Sequence, residues 1–465
     1  MTEKVHKILS ESKAARWTAL AVVAFTMLCG YYLADVMAPL KGLLEQQLSW
    51  NSEEYGFFTS AYGWFNVFLF FLIFGGIILD KMGVRFTGMM ATSIMVIGIG
   101  IKYWAVSTHS LDGQVWDLLI FKSKAQVLVA GIGFAIFGVG IEVAGITVSK
   151  IIVKWFKGKE MALAMGLEMA TARIGTGLAI GTSLPIAKAF GTVSMPLLFG
   201  LIMACIGLIA FVMYTFQDKK LDASQAAFDK QNNVVDEEEA FKIKDILNII
   251  TNKGWWYIAI LCVLFYGAVF PFLKYATDLM VQKFGVDEDW AGLIPAMLPF
   301  GTIILTPFFG NLYDRKGKGA TIMIIGSMLL ILVHALFSIP FLHHWIVAII
   351  LVIFLGIGFS LVPSAMWPSV PKIIPEKQLG TAYSLIFWVQ NWGLMGIPAL
   401  IGWVLDKYCI TGSVLKGEVM VKTYNYTIPM LIFTSLGVLA LIFAILLKIE
   451  DKKKGYGLEL PNIEK

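Results

Sequence analysis

Stretches of about 20 predominantly apolar residues recur along the whole 465-residue chain. A helix of that length crosses the hydrocarbon core of a bilayer, so this recurrence limits the fold more than any single motif. It predicts twelve spans, at about 17–40, 54–79, 84–106, 126–149, 162–187, 193–215, 254–281, 289–312, 320–340, 345–371, 377–405 and 424–448. The first is too long for a signal peptide and lacks a small-residue cleavage site, so it is expected to stay as a span. Composition agrees, with 58% hydrophobic and 15% charged residues and a mean hydropathy of +0.75. Soluble domains carry about 25% charged residues. A water-soluble globule, a disordered chain and a nucleic-acid binder are excluded. Cys29, Cys205, Cys262 and Cys409 form no CxxC pair and suggest neither disulfides nor a zinc site.

Twelve spans place both termini on one side. Of the 37 Lys and Arg residues, 26 fall in the termini and the even-numbered loops and 9 in the opposite loops, Lys41 and Lys102 among them. Positive charge accumulates on the cytoplasmic side, so both termini are expected there. A polar stretch divides the chain into 1–215, a linker at 216–253, and 254–465. Within the linker, an acidic run at 236–239 precedes FKIKDILNII (241–250). Phe241, Ile243, Ile246, Leu247 and Ile250 share one helical face there, as in a short interfacial helix.

The divided parts repeat one another. GIILDKMGVR follows the second span, with Asp80, Lys81, Gly83 and Arg85; GNLYDRKGKG follows the eighth, with Asp314, Arg315, Gly317 and Lys318. The shared pattern G-x-x-x-D-[KR]-x-G allows a tight turn between helices. Its charges can pair across helix ends, so contacts that break and re-form as the halves rock are expected.

Charges inside spans are expensive, roughly 2.5–3.5 kcal/mol each near the bilayer centre, and mark function by default. Glu142 sits in the glycine-dense GIGFAIFGVGIEVAG and Arg173 in MATARIGTG. At 1.5 Å per residue they lie roughly 10 Å and 16 Å from the cytoplasmic ends of their spans, in nearly one layer. Three readings stand: a structural salt bridge, a site for a zwitterion, or proton relay by Glu142. Glu168 lies about 140° round the helix from Arg173 and is expected to face the bundle interior or the cytoplasmic mouth. Asp35, one turn after Tyr31, is a candidate outer gate or an exposed helix end. Lys274 and Asp278, spaced i,i+4 after Pro271, favour a local ion pair. His334 is expected to be a packed interior histidine.

Three aromatic clusters interleave polar groups: Tyr62, Trp64 and Asn66; Trp367 between Pro363 and Pro368; and Trp388, Gln390, Asn391 and Trp392. Broken helices with aromatic and amide groups suit a midplane substrate site, and packing alone is the competing reading. No GxxxxGK[ST] or HExxH motif is present, so neither ATP-driven transport, an enzyme, a cofactor nor a metal is expected.

Several stretches carry a narrower resemblance: WFKGKE (155–160), ARIG (172–175), AVFPF (268–272), KFG (283–285), WP (367–368), PEKQLGTAY (375–383) and QN (390–391). Together with the loop repeat, they resemble the lysosomal dipeptide transporter branch of the major facilitator superfamily. The resemblance implies an all-α integral membrane fold of twelve transmembrane helices in two pseudo-symmetric six-helix halves. It also implies alternating-access transport of dipeptides by a monomer, by uniport or proton symport. Glu142 and Arg173 match the family's residues for the peptide termini, and Trp367 matches its tenth-helix tryptophan. Glu168 departs from the amide expected there, which leaves substrate charge preference and proton coupling open. Transport of another small organic anion, and a non-transporting sensor of the same fold, are the alternatives. Lys far outnumbers Arg and no organellar motif is evident, so a bacterial inner (cell) membrane is expected over a lysosomal membrane.

Overall fold

Long apolar helices running between two ends dominate the computed structural model, which describes residues 9–117, 122–156, 160–232, 243–375, 378–416 and 419–462. The acidic run at 236–239, the loop cations at 157 and 159, and positions 376–377 of the PEKQ stretch lie outside these residues. In chain order the helices and strands are α1 (Lys13–Asp35), α2 (Lys41–Leu48), α3 (Ser52–Ser60), α4 (Trp64–Phe68), α5 (Phe71–Ser107), β1 (Val115–Asp117), β2 (Lys122–Lys124), α6 (Ala125–Phe156), α7 (Met161–Phe190) and α8 (Met195–Asn232). There follow α9 (Ile243–Ile250), α10 (Lys253–Phe284), α11 (Glu288–Ala291), α12 (Leu293–Lys316), α13 (Gly319–Ser338), α14 (Trp345–Ile373), α15 (Leu379–Tyr408), β3 (Ile410–Lys416), β4 (Val419–Tyr424) and α16 (Thr427–Lys454). Among the described residues, ten helical stretches are long and apolar enough to cross a bilayer.

The expected second span is not one helix. It runs through α3, a 3-10 turn at Ala61–Gly63, α4 and the first part of α5, with Phe70 in the left-handed region (φ 56°) between α4 and α5. A bulky residue rarely adopts that conformation, so the break is held by its surroundings. Phe70 stacks on Trp388 of α15, ring centroids 5.6 Å apart, and the Trp388 indole donates to the Val67 carbonyl. Gly83 interrupts α5 at φ 75° and marks the turn expected between the second and third spans. Its repeat partner Gly317 also takes positive φ, 68°, between α12 and α13. The two matched loops therefore share a glycine at positive φ, and the second adds Lys318 at φ 64° directly after it.

Helices α1–α8 form one packed group and α10–α16 a second, and they meet chiefly along α3–α15 and α7–α12. Small residues bring the first pair close: Gly56 and Gly402 approach so tightly that a Cβ on either would collide with the other's backbone. Large apolar side chains such as Met213, Phe216, Ile304 and Phe308 point outward, as lipid contact requires. Hairpins β1–β2 and β3–β4 cap one end of the bundle, here the hairpin end. The ends of α8 and α9 mark the other, the linker end.

Three expectations change. Lys41 and Lys102, read as loop cations, are buried: Lys41 pairs with Asp278 (3.0 Å), and Lys102 lies within α5, its ammonium 4.1 Å from the Phe134 ring centroid. Lys41 opens the short helix α2, after α1 has already ended at Asp35, and Lys102 lies inside the expected third span (84–106), near its end. Lys274 does not pair with Asp278 one turn away but with Asp35, 239 positions distant. In the linker, α9 forms as expected, with Ile249 buried and Leu247 and Ile250 exposed, while Phe241 of the expected face lies outside the described residues. His334 is a packed interior residue, fully buried between the Phe272 and Phe433 rings.

Candidate functional site

A cavity lies between the two helix groups, lined by Tyr31, Asp35, Tyr62, Glu142, Lys274 and Gln390 among others. Broken backbone places its polar groups. Tyr62 sits in the 3-10 turn that interrupts the second span, and its hydroxyl donates to Glu142 Oε1 at 2.7 Å. The approach depends on Gly138: a Cβ there would stand 2.1 Å from the Tyr62 carbonyl oxygen. Asn391 of α15 also faces the Glu142 carboxylate. Pro271 lies inside α10 and lines the cavity.

Glu142 and Arg173 form no ion pair with each other. The Arg173 guanidinium instead faces three rings, with centroids at 5.9 Å (Tyr31), 5.4 Å (Phe270) and 5.1 Å (Phe359). Among the described residues no carboxylate lies within ion-pair distance of it. Rings satisfy a cation only in part, since their quadrupole offers no directed acceptor for five N–H groups. The arrangement leaves Arg173 able to take a planar anion in bidentate fashion. Tyr31 lies within electrostatic reach of Arg173, Glu142, Glu168 and Asp35 together, and Glu168 within reach of Arg173 despite its offset on the helix.

The other expected residues occupy two shells. Gln390 lines the cavity. Trp367 reaches the site through Tyr266, to whose hydroxyl its indole donates at 3.0 Å, and Tyr266 stacks on Phe270. Trp64 donates to Ser60 of its own segment, and Asn66 ties α4 to the Gly138 carbonyl of α6, so both serve packing around the broken helix. Phe270 and Phe359 were not singled out by sequence. The AVFPF stretch holds the first, whereas the second lies in an unbroken apolar run with no distinguishing signal.

The cavity is shut on its hairpin side. Lys274 bridges Asp35 (2.5 Å) and the Ala34 carbonyl (2.6 Å), and Thr176 donates to the other Asp35 oxygen at 2.8 Å. Farther out stand Lys41–Asp278 (3.0 Å), Lys188 with Glu288 (3.2 Å) and Asp289 (2.7 Å), and the short contact of Tyr426 with Asp278. Burial raises the Tyr424 hydroxyl well above its ordinary range, so it stays protonated and donates to Glu45 at 3.3 Å. Among the described residues, every ion pair joining the two groups lies on this side.

At the linker end, charges pair within each group. Asp80 bonds Lys150 (2.9 Å), and Arg85 bonds Asp218 (3.3 Å) and Asp222 (2.5 Å). Asp314 accepts from Asn462 (2.8 Å), whereas no ion pair of Lys81 or Arg315 occurs among the described residues.

A broken second span, a repeated turn loop and a cavity between two helix groups make a specific combination. The sequence model for the Major Facilitator Superfamily matches residues 20–398. The chain belongs to that superfamily. It is therefore a membrane transporter by family, not an enzyme. Among its relatives is the human protein called lysosomal dipeptide transporter MFSD1, 27% identical over 404 residues, which cover 85% of this chain and 81% of the relative. The zebrafish (Danio rerio) protein of that name is 26% identical over 460 residues, covering 96% and 89%. The crystal structure of the nucleoside transporter NupG shares the fold, with a TM-score of 0.67 at 13% identity over 93% of this chain and 98% of that one.

Proposed function

We propose that this superfamily member moves dipeptides by alternating access across a cell membrane. Twelve spans in two rocking halves (1–215 and 254–465, joined by the linker at 216–253) would then carry the motion. One observation carries the substrate reading: Arg173 lies against Tyr31 and Phe270, two rings that line the cavity, with no carboxylate partner among the described residues, while Glu142 lines the cavity itself from the neighbouring helix. A zwitterion fits that pair, its carboxylate on Arg173 and its ammonium on Glu142. The names of the relatives support a peptide over other zwitterions. Tyr62, Gln390, Asn391 and Trp367 form the surrounding wall. Asp35 with Lys274 closes the outer gate, and Asp80, Lys81, Arg85, Asp314 and Arg315 form the loops at the opposite end.

Uptake of labelled alanyl-alanine into proteoliposomes, paired with thermal-shift measurements, tests the reading. Dipeptides should raise the unfolding temperature and compete for uptake. Stabilisation by simple organic anions alone would replace the peptide reading with anion transport. No flux of either would leave a sensor.

The hairpin end is assigned to the outside and both termini to the cytoplasm, on the distribution of Lys and Arg. Cysteines introduced at 230 and 343 should react with an impermeant thiol reagent from opposite sides. Reaction of both from one side would reverse the assignment.

A further inference from the structure

The repeated loops are built differently at one point. In the first helix group Asp80 contacts Lys150, near the linker end of α6, directly (2.9 Å). In the second group the corresponding partners, Asp314 and Lys372 near the end of α14, do not meet. The chain after α16 runs between them. Asn462 binds Asp314 through both its side chain (2.8 Å, to Oδ1) and its backbone N–H (3.0 Å, to the carbonyl), while Lys372 donates to the carbonyls of Gly457 and Leu460, each at 3.0 Å.

This segment also completes α13. Lys318, in the N-cap position, takes φ 64° and offers no side-chain cap, so the first N–H groups of α13 need acceptors from elsewhere. The tail supplies them. The Gly319 N–H donates to the Leu458 carbonyl (2.8 Å), the Lys318 N–H to the Glu459 carbonyl (2.9 Å), and the Thr321 N–H to Glu459 Oε1 (2.9 Å). The Thr321 hydroxyl donates to Glu459 Oε2 at 2.8 Å. A carboxylate at a helix N-terminus gains both hydrogen bonds and a favourable dipole. The fit is close: a Cβ on Gly317 would lie 2.5 Å from the Glu459 carbonyl oxygen. Leu458 is fully buried, and Tyr456 packs over Gly254 at the start of α10.

We propose that residues 455–462 are a gating strap, with Glu459 its principal contact. The strap ties the α12–α13 loop to the ends of α10 and α14 and holds that loop in the arrangement belonging to the hairpin-closed state. Where the first group uses direct charge pairing that can break and re-form, the second interposes a segment of its own chain. Releasing the strap should therefore favour the opposite state.

Spin labels at Lys220 and Thr251, both exposed at the linker end, report the separation of the two groups there in a cysteine-free background. The measurement needs no substrate, so its outcome is independent of the dipeptide reading. Glu459→Ala, which removes two hydrogen bonds to a carboxylate, and truncation after Lys454, which removes the whole strap, should each shift the ratio of long to short distances toward short by at least about tenfold. Glu459→Asp should restore most of the original ratio. In proteoliposomes Glu459→Ala should lower the maximal rate of alanyl-alanine uptake at least about threefold while KM stays within about twofold, since binding is not altered. Should the truncated protein fail to fold, Glu459→Ala and Asn462→Ala decide. Distance distributions unchanged in the point variants, even with a lowered unfolding temperature, would reduce the strap to packing and overturn the proposal.

Discussion

Replacing Glu142 with Gln or Arg173 with Ala will weaken dipeptide binding at least about thirtyfold and abolish measurable uptake. The magnitude follows from losing one partner of a desolvated, charge-assisted contact, which costs about 2–5 kcal/mol. As a clamp the pair would bracket the termini of an extended dipeptide, roughly 7 Å apart at most. The informative result is the pattern across ligands. Glu142→Gln will respond least to blocking the peptide amino group, since that contact is already gone. Arg173→Ala will respond least to amidation of the carboxylate. Isothermal titration with free, N-blocked and C-amidated alanyl-alanine reads both effects. Two residues that only hold helices together would lose affinity equally for all three ligands, and that outcome would remove them from the site. The structure already argues against a mutual salt bridge, because Arg173 faces Tyr31, Phe270 and Phe359 instead of Glu142.

The second large effect is expected at the gate. Asp35 and Lys274 lie 2.5 Å apart with side chains only 7% and 15% exposed, and they join the two helix groups on the hairpin side of the cavity. Removing one member of a buried pair strands the other charge and costs about 3–5 kcal/mol, whereas removing both costs far less. Asp35→Asn and Lys274→Met should each lower uptake at least about tenfold, as uncompensated charge destabilises the closed gate. The double variant Asp35→Asn/Lys274→Met should retain more uptake than either single one. Spin labels at Ser110 and Thr411, exposed at the hairpin end, should show the same order in the population of the closed state without substrate. Losses that simply add in the double variant would mean that the two residues act separately.

Much of the candidate site was legible because the membrane makes charges conspicuous. An ionised side chain in an apolar run is costly wherever the helix ends up, so Glu142, Arg173, Asp35 and Lys274 stand out without a structure. The repeat was legible for a related reason: a tight turn between helices needs glycine, and Gly83 and Gly317 both adopt positive φ. The comparisons then place the chain in the superfamily that the residues resemble.

Partner choice was not legible. A spacing of i,i+4 makes Lys274 and Asp278 neighbours on any helix, yet each finds a better partner across the interface, Asp35 and Lys41 respectively. Helical periodicity states which side chains share a face, not what that face meets. Lys102 was counted as a loop charge although it lies near the end of the expected third span (84–106), and nothing local announces that Phe58 and Phe134 enclose it. The break at Phe70 and the docking of Glu459 on α13 likewise carry no periodic signal. By itself, then, the sequence determined the membrane class, the repeated loops and the charges that must find company, all of which follow from local transfer cost and backbone freedom. Only the tertiary structure decided which charges meet, which end of the cavity is shut and where the tail lies. Those depend on contacts between residues tens to hundreds of positions apart, whose free energy no local pattern encodes.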